Sequence, residues 1–186
     1  MAVTKGYGLD VCREAASCGL KVLGENRVQE ALPKMAALPE VEWHLIGHLQ
    51  TNKVKVAVGR FRLIQSVDSA AVAHAIAQRD STQAVLLEVN VARESQKHGI
   101  EPEHAVEVAA EVAALVDLRG LMAMGPTTGD PKPAFDELKD LLDRTQQRLG
   151  RPLPVLSMGM SGDFEAALAA GSTMLRLGRA LFGNKN

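Results

Sequence analysis

Two rhythms of apolar residues alternate along the chain. Short runs of strand length occupy Met1 to Lys5, Lys21 to Asn26, Glu42 to Gly47, Arg62 to Val67, Ala84 to Asn90 and Leu118 to Met124. Between them, apolar residues return every three or four positions, as one face of a helix requires. Leu9, Cys12, Ala15 and Ala16 form the first such stripe, and Val28, Ala31, Leu32, Met35 and Leu38 the second. A short helix follows His48 to Lys53. Val72, Ile76 and Ala77 mark another helix, with Asp68 or Ser69 as its cap. Pro102 opens the helix carrying Val106, Ala109 and Val112, and Phe135, Leu138, Leu141, Leu142 and Leu149 line the last long one. The run from Ala84 to Asn90 is apolar on both faces, as a buried parallel strand should be.

The C-terminal stretch continues the alternation. Leu156-Ser157-Met158-Gly159-Met160-Ser161-Gly162-Asp163 reads as a strand and a small-residue loop, with Ser161 and Asp163 as cap types for the next helix. Ser172 to Gly178 then supplies an eighth strand, with Met174, Arg176 and Gly178 on one face. Strict βα alternation over eight strands, with no linker between halves, predicts an α/β fold: a single (β/α)8 TIM barrel spanning residues 1–186. A doubly wound open sheet is the alternative.

On this count the chemically distinctive side chains sit at strand C-terminal ends: Lys5, Asn26, His48, Asn90, Met124, Ser157 to Ser161, Arg176 and Gly178. That rim carries the site in barrel enzymes, and loops after strands seven and eight often hold a phosphate. Backbone N–H groups at a helix start, with glycine allowing close approach, suit an anion; an ordinary capped helix is the plainer reading. Lys5 should point into the barrel mouth. An amine between apolar walls and near a second cation loses proton affinity, as a Schiff-base lysine requires. A snorkelling surface lysine would look the same in isolation. Lys5 and Arg176 in one mouth beside an anion-ready loop together specify an anionic carbonyl ligand. His44 is expected to be a core histidine bonded to a neighbour, and Glu88 to enter the barrel and form a structural ion pair. No helical metal-ligand spacing, Walker, dinucleotide or Gly-x-Ser-x-Gly pattern occurs.

Composition narrows the partners. With 21 basic and 22 acidic residues the net charge is −1, which offers nothing to nucleic acid or an anionic membrane. Aromatics make up only 3%, too few for base-stacking platforms. Cys12 and Cys18 diverge on one helix and are expected to be free thiols of a reducing compartment. Without an apolar run of membrane-spanning length or a signal-peptide layout, the cytoplasm is the expected location.

Several blocks taken together, Val3-Thr4-Lys5, Gly24-Glu25-Asn26 with Gln29-Glu30, Trp43-His44-Leu45-Ile46-Gly47-His48-Leu49-Gln50-Thr51-Asn52-Lys53, Leu118-Arg119-Gly120-Leu121-Met122 and Ser157-Met158-Gly159-Met160-Ser161-Gly162-Asp163, resemble the pyridoxal phosphate homeostasis proteins. These are also called proline synthetase co-transcribed proteins. The resemblance spans the whole chain and implies a barrel like the N-terminal domain of alanine racemase, binding pyridoxal 5′-phosphate. By that likeness Lys5 forms the Schiff base, and Ser161 with the backbone N–H groups of Gly178 and Arg179 holds the phosphate. Arg176 faces the pyridine nitrogen and Asn26 lies near the ring. Position 179 departs from the small residue common in the family, which a backbone contact tolerates.

The resemblance further implies a carrier or regulator in vitamin B6 homeostasis, with little or no catalysis, monomeric, and with pyridoxal-phosphate-dependent apo-enzymes as recipients. An arginine at the pyridine nitrogen opposes its protonation and makes the ring a poor electron sink. Alanine racemase relatives take their second acid–base group from a tyrosine of an extra domain and partner chain. The only tyrosine here is Tyr7. A weak amino-acid racemase, or a cofactor-free barrel for a phosphorylated metabolite, are the competing readings. Family members carry a helix before the first strand, whereas this sequence opens almost on Val3-Thr4-Lys5; an exposed apolar strip is the expected consequence.

Overall fold

The computed structural model describes residues 1–183. Seven parallel strands follow one another round a sheet in chain order: β1 (Ala2–Val3), β2 (Val22–Glu25), β3 (Glu42–Leu45), β4 (Leu63–Val67), β5 (Ala84–Glu88), β6 (Asp117–Met122) and β7 (Val155–Ser157). Helices alternate with them: α1 (Leu9–Ser17), α2 (Val28–Ala37), α3 (Val54–Ala57), α4 (Ala70–Ala77), α5 (Ala105–Leu115), α6 (Lys132–Leu149), α7 (Phe164–Ala169) and α8 (Arg179–Phe182). This is the α/β barrel that the alternation predicts, with one correction. The expected eighth strand is reduced to two isolated bridges, Met174 to Ser157 on β7 and Leu177 to Ala2 on β1. Val3 N–H donates to the Leu177 carbonyl at 2.7 Å, and Leu177 N–H to that of Met1 at 3.1 Å. Between the bridges Arg176 N–H turns aside to the Gly159 carbonyl, so no regular ladder forms.

Strand alternation divides the interior in two. Outward-facing Leu23, Trp43, Ile64, Val85, Leu87 and Leu121 join the helix stripes in the large apolar core. Inward-facing Leu63, Leu86 and Met122 fill part of the barrel as a smaller cluster. Gly120 in β6 adopts φ 159°, and a Cβ there would lie 1.7 Å from the Val155 carbonyl oxygen, so close approach of β6 and β7 requires glycine. Among the described residues the exposed large hydrophobics are Met160, Leu168 and Leu181, all between β7 and the end of α8. Ala2 and Val3 of β1 are buried. Cys12 is buried and Cys18 exposed, both as free thiols. No helix among the described residues is long and apolar enough to cross a membrane.

Candidate functional site

The amine at the barrel mouth has a rigid mount. β1 stops at Val3, and Thr4 to Tyr7 form a turn closed by Tyr7 N–H donating to the Thr4 carbonyl at 3.1 Å. Gly6, at φ 68°, supplies the left-handed backbone that the third position of such a turn favours, leaving Lys5 at its outer corner. Lys5 is therefore exposed on a turn two residues beyond the strand, not held within it between apolar walls. Thr4 is fixed on three sides. Its N–H donates to Gly24 O at 3.0 Å, its hydroxyl to Glu25 Oε1 at 2.7 Å, and its carbonyl accepts from Lys34 Nζ at 3.0 Å. Lys34 also donates to Glu25 Oε1 at 2.7 Å, an ion pair buried between β2 and α2. Asn26 follows Glu25 at the next strand end. A Cβ on Gly47 would lie 2.1 Å from the Asn26 carbonyl oxygen, so the glycine after β3 lets the two strand ends pack.

Across the mouth, the Ser161 hydroxyl accepts from Ala180 N–H at 3.0 Å, which brings the loop after β7 onto the start of α8. Gly178 and Arg179 precede that bond, and as first residues of a helix their N–H groups have no intrahelical acceptor. Protein packing alone does not demand glycine at 178, because a Cβ would meet Val3 only at ordinary contact distances of 3.4 and 3.6 Å. Asp163 departs from expectation. Its side chain does not cap α7; Oδ1 accepts from Met160 N–H, which holds the carboxylate in the cavity wall.

Arg176 rises from the closing segment and is 4% exposed. Its guanidinium donates to Ser157 Oγ at 2.8 Å and to the Ala123 carbonyl at 2.8 Å. The Ser157 hydroxyl donates onward to Gln65 Oε1 at 2.7 Å, and Gln65 Nε2 meets His44 Nδ1 at 3.0 Å. His44 Nε2 lies 2.9 Å from Glu42 Oε1. From donor to acceptor, these bonds are consistent only with His44 neutral, Nδ1 accepting and Nε2–H donating. Burial accordingly pushes the His44 pKa down, against the opposing pull of Glu42. A polar string thus runs through the barrel from Arg176 at the mouth to Glu42 at the far end, and His44 is the bonded core histidine expected of it.

Glu88 does enter the barrel, but it forms no ion pair among the described residues; two of the Arg176 N–H groups go to the neutral oxygens of Ser157 and Ala123. Desolvation, then the charge of Asp68, raise the Glu88 carboxyl to about 7, with Arg176 opposing. Burial likewise pushes Arg176 down to about 10, which leaves it charged at neutral pH. A carboxyl whose pKa rises on folding costs stability once the unfolded group ionises. Its contribution is complete below the ordinary glutamate value and lost as pH climbs through about 7. Glu88→Gln should therefore gain on the wild type between about pH 4.5 and about pH 8, by up to about 3 kcal/mol. Urea unfolding at the two pH values checks this, and an unchanged difference between them would contradict it.

Lys5, Asn26, Ser161, Arg176, Gly178 and Arg179 all line one cavity of about 750 Å³ at the C-terminal ends of the strands. Met124 joins them, whereas Asn90 does not: it is buried, with Nδ2 donating to the Glu94 carbonyl. Sequence reasoning missed Lys97 and Thr127 on the walls. They arrive on long loops after β5 and β6, drawn together where Lys97 Nζ donates to Gly125 O at 2.6 Å and Glu94 accepts from Thr127. Loop residues of this kind carry no periodicity to mark them. A second hollow of about 900 Å³ lies at the opposite end, beside Glu42, Arg62 and Asp117, and contains none of the predicted site residues.

Fold and site together define a barrel of the alanine racemase N-terminal type, with Lys5, Ser161 and Gly178 lining one cavity at its mouth. The alanine racemase N-terminal domain family matches residues 1–186. At the level of fold alone, alanine racemase from Clostridium difficile superposes with a TM-score of 0.82 at 16% identity, over 99% of this chain and 52% of that one. More similar is the pyridoxal phosphate homeostasis protein of Aquifex aeolicus, 45% identical over all of this chain and 86% of the relative. That of Deinococcus radiodurans is 42% identical, over 98% of this chain and 87% of the relative. PipY of Synechococcus elongatus, solved with pyridoxal phosphate bound, has a TM-score of 0.88 at 34% identity, over 98% of this chain and 91% of that one. The chain belongs to the pyridoxal phosphate homeostasis protein family.

Proposed function

We propose that this protein binds pyridoxal 5′-phosphate in the cavity at the barrel mouth and serves vitamin B6 homeostasis as a carrier or regulator. The observation that carries the reading is the convergence of Lys5, Ser161, Gly178 and Arg176 on one cavity of about 750 Å³. Bound there, the cofactor supplies an aldehyde that condenses with a primary amine, releasing water. Lys5 is that amine, presented from a turn whose backbone is anchored at Thr4. The N–H groups of Gly178 and Arg179, with the Ser161 hydroxyl, fit a phosphate dianion, and Gly178 leaves room for it. Arg176 and Asn26, which line the same cavity, would hold the heterocycle.

Turnover is not the role this site favours. Arg176 brings a permanent cation to the ring, which disfavours a protonated pyridine nitrogen. Tyr7 lines the same cavity, its hydroxyl donating to the Gly183 carbonyl at 3.1 Å and its ring packed against Phe182, but it follows Lys5 on the same turn and is not the separate group on the opposite face that a racemase needs. A monomer in the cytoplasm, delivering cofactor to apo-enzymes, completes the reading.

Ser161→Ala tests the phosphate cup. It removes one hydroxyl from a dianion, a charge-assisted bond of about 1.5–3 kcal/mol. Affinity for pyridoxal phosphate should fall roughly ten- to a hundredfold by titration, with the melting curve unchanged. Unchanged affinity would move the phosphate elsewhere, and robust turnover of D- or L-alanine by the wild type would replace the carrier by a racemase.

A further inference from the structure

We propose that His48, Asp68 and His98 form a binding site for a divalent first-row transition cation, Zn²⁺ in the first instance, on the same rim as the cavity but separate from it. None of the three lines the cavity. They lie on the connections after β3, β4 and β5, three neighbours in the sheet, so the barrel brings together residues 20 and 30 positions apart.

The geometry is that of a ligand set. One ligating atom from each residue lies within 4.8 Å of both others. His48 Nδ1 is 2.9 Å and His98 Nδ1 4.0 Å from Asp68 Oδ2. The two imidazoles are stacked, with centroids 4.0 Å apart and planes 9° from parallel, so their nitrogen edges lie side by side beside one carboxylate. Ligands at about 2.0–2.2 Å from a tetrahedral ion stand about 3.3–3.6 Å from one another. Because a nitrogen lone pair lies in its ring plane, the two near-parallel imidazoles reach one ion only when the more exposed His98 ring rotates out of the stack as the three atoms draw in. Two imidazoles and one carboxylate select borderline cations such as Zn²⁺, Co²⁺ or Ni²⁺ over Mg²⁺ and Ca²⁺, which prefer all-oxygen shells. Three protein ligands leave a fourth position open to water.

The mounts are firm while the mouth is open. Ser66 Oγ donates to the Gly47 carbonyl at 2.6 Å, tying the backbone before His48 to the strand that carries Asp68. Ile100 N–H donates to Glu88 O at 2.8 Å, and Asn90 N–H to Ile100 O at 2.9 Å, folding the loop of His98 back onto the end of β5. Gly99 permits that fold: it has φ 119°, and a Cβ would lie 2.7 Å from Asn90 N. The His98 side chain is 57% exposed and that of His48 35%, so an ion can reach both.

The test is competition of the protein with a chromogenic chelator for Zn²⁺, in phosphate-free buffer. Cys18→Ser serves as the background, because that thiol is exposed. One equivalent of Zn²⁺ should bind. His98→Ala and Asp68→Asn should each weaken it at least roughly tenfold, while His74→Ala, an exposed histidine on α4 outside the cluster, leaves it unchanged. Co²⁺ should give a visible d–d band that His98→Ala removes, with melting curves showing both variants folded. No binding at equimolar Zn²⁺, or binding undiminished in His98→Ala and Asp68→Asn, would overturn the proposal.

Discussion

Lys5→Ala should lose the whole covalent absorption band of bound pyridoxal phosphate while still binding the cofactor noncovalently. The amine stands on the turn after β1, whereas the phosphate cup is built from the loop after β7 and the start of α8. Removing one side leaves the other standing. Lys5→Arg keeps the positive charge yet cannot condense with an aldehyde, so it separates charge from covalency. Both variants should give the same spectrum, that of free cofactor, with Lys5→Arg binding the more tightly of the two. Ultraviolet–visible titration with equilibrium dialysis checks this; a wild-type band surviving in Lys5→Ala would assign the amine to another lysine.

Lys34→Ala should destabilise the protein by about 3–5 kcal/mol, the cost of leaving one partner of a buried ion pair unpaired. Glu25 is fully buried, and its Oε2 already has no hydrogen-bond partner among the described residues. Lys34 is its only ion-pair partner among them, at 2.7 Å. Against a total stability of about 5–15 kcal/mol for a domain, this is a large fraction. The double variant Lys34→Met, Glu25→Gln should recover much of the loss, since no uncompensated charge remains and the new amide oxygen can still accept from the Thr4 hydroxyl. Urea midpoints decide it: equal midpoints for Lys34→Ala and wild type would mean that the pair contributes little. The site feels the same change, because Lys34 also holds the Thr4 carbonyl from which the Lys5 turn springs.

Much of this was legible in the chain because barrels write themselves in repeats. Each strand is a short apolar run, each helix an apolar stripe, and the functional side chains fall where runs end. Lys5, Asn26, Ser161, Arg176, Gly178 and Arg179 could be placed at one rim on that basis, helped by a resemblance covering the whole chain. What escaped was what depends on side-chain direction. Asp163 has the residue type of a helix cap, yet Met160 N–H captures its carboxylate within the preceding turn. Glu88 was expected in an ion pair because charges in a barrel need partners, but the nearby Arg176 guanidinium donates to Ser157 and the Ala123 carbonyl and comes no closer to Glu88 than a through-space attraction. Gln65, midway along an apolar strand, gave no sign that it joins His44 to Ser157. Lys34 could have been found: it lies three positions after Ala31, at the edge of the α2 stripe, where a lysine must either snorkel or pair. The eighth strand was misjudged in regularity because alternation in sequence cannot reveal that Gly159 takes the Arg176 N–H.

The central claim is that Lys5 meets the aldehyde of pyridoxal 5′-phosphate within this cavity. Borohydride reduction of the wild-type protein in excess cofactor, followed by peptide mass mapping, tests it most directly. One cofactor should be fixed per chain, on the peptide containing Lys5, with the near-visible band lost on reduction. A protein that forms no adduct near neutral pH, or carries it elsewhere, as on Lys53, would contradict the claim.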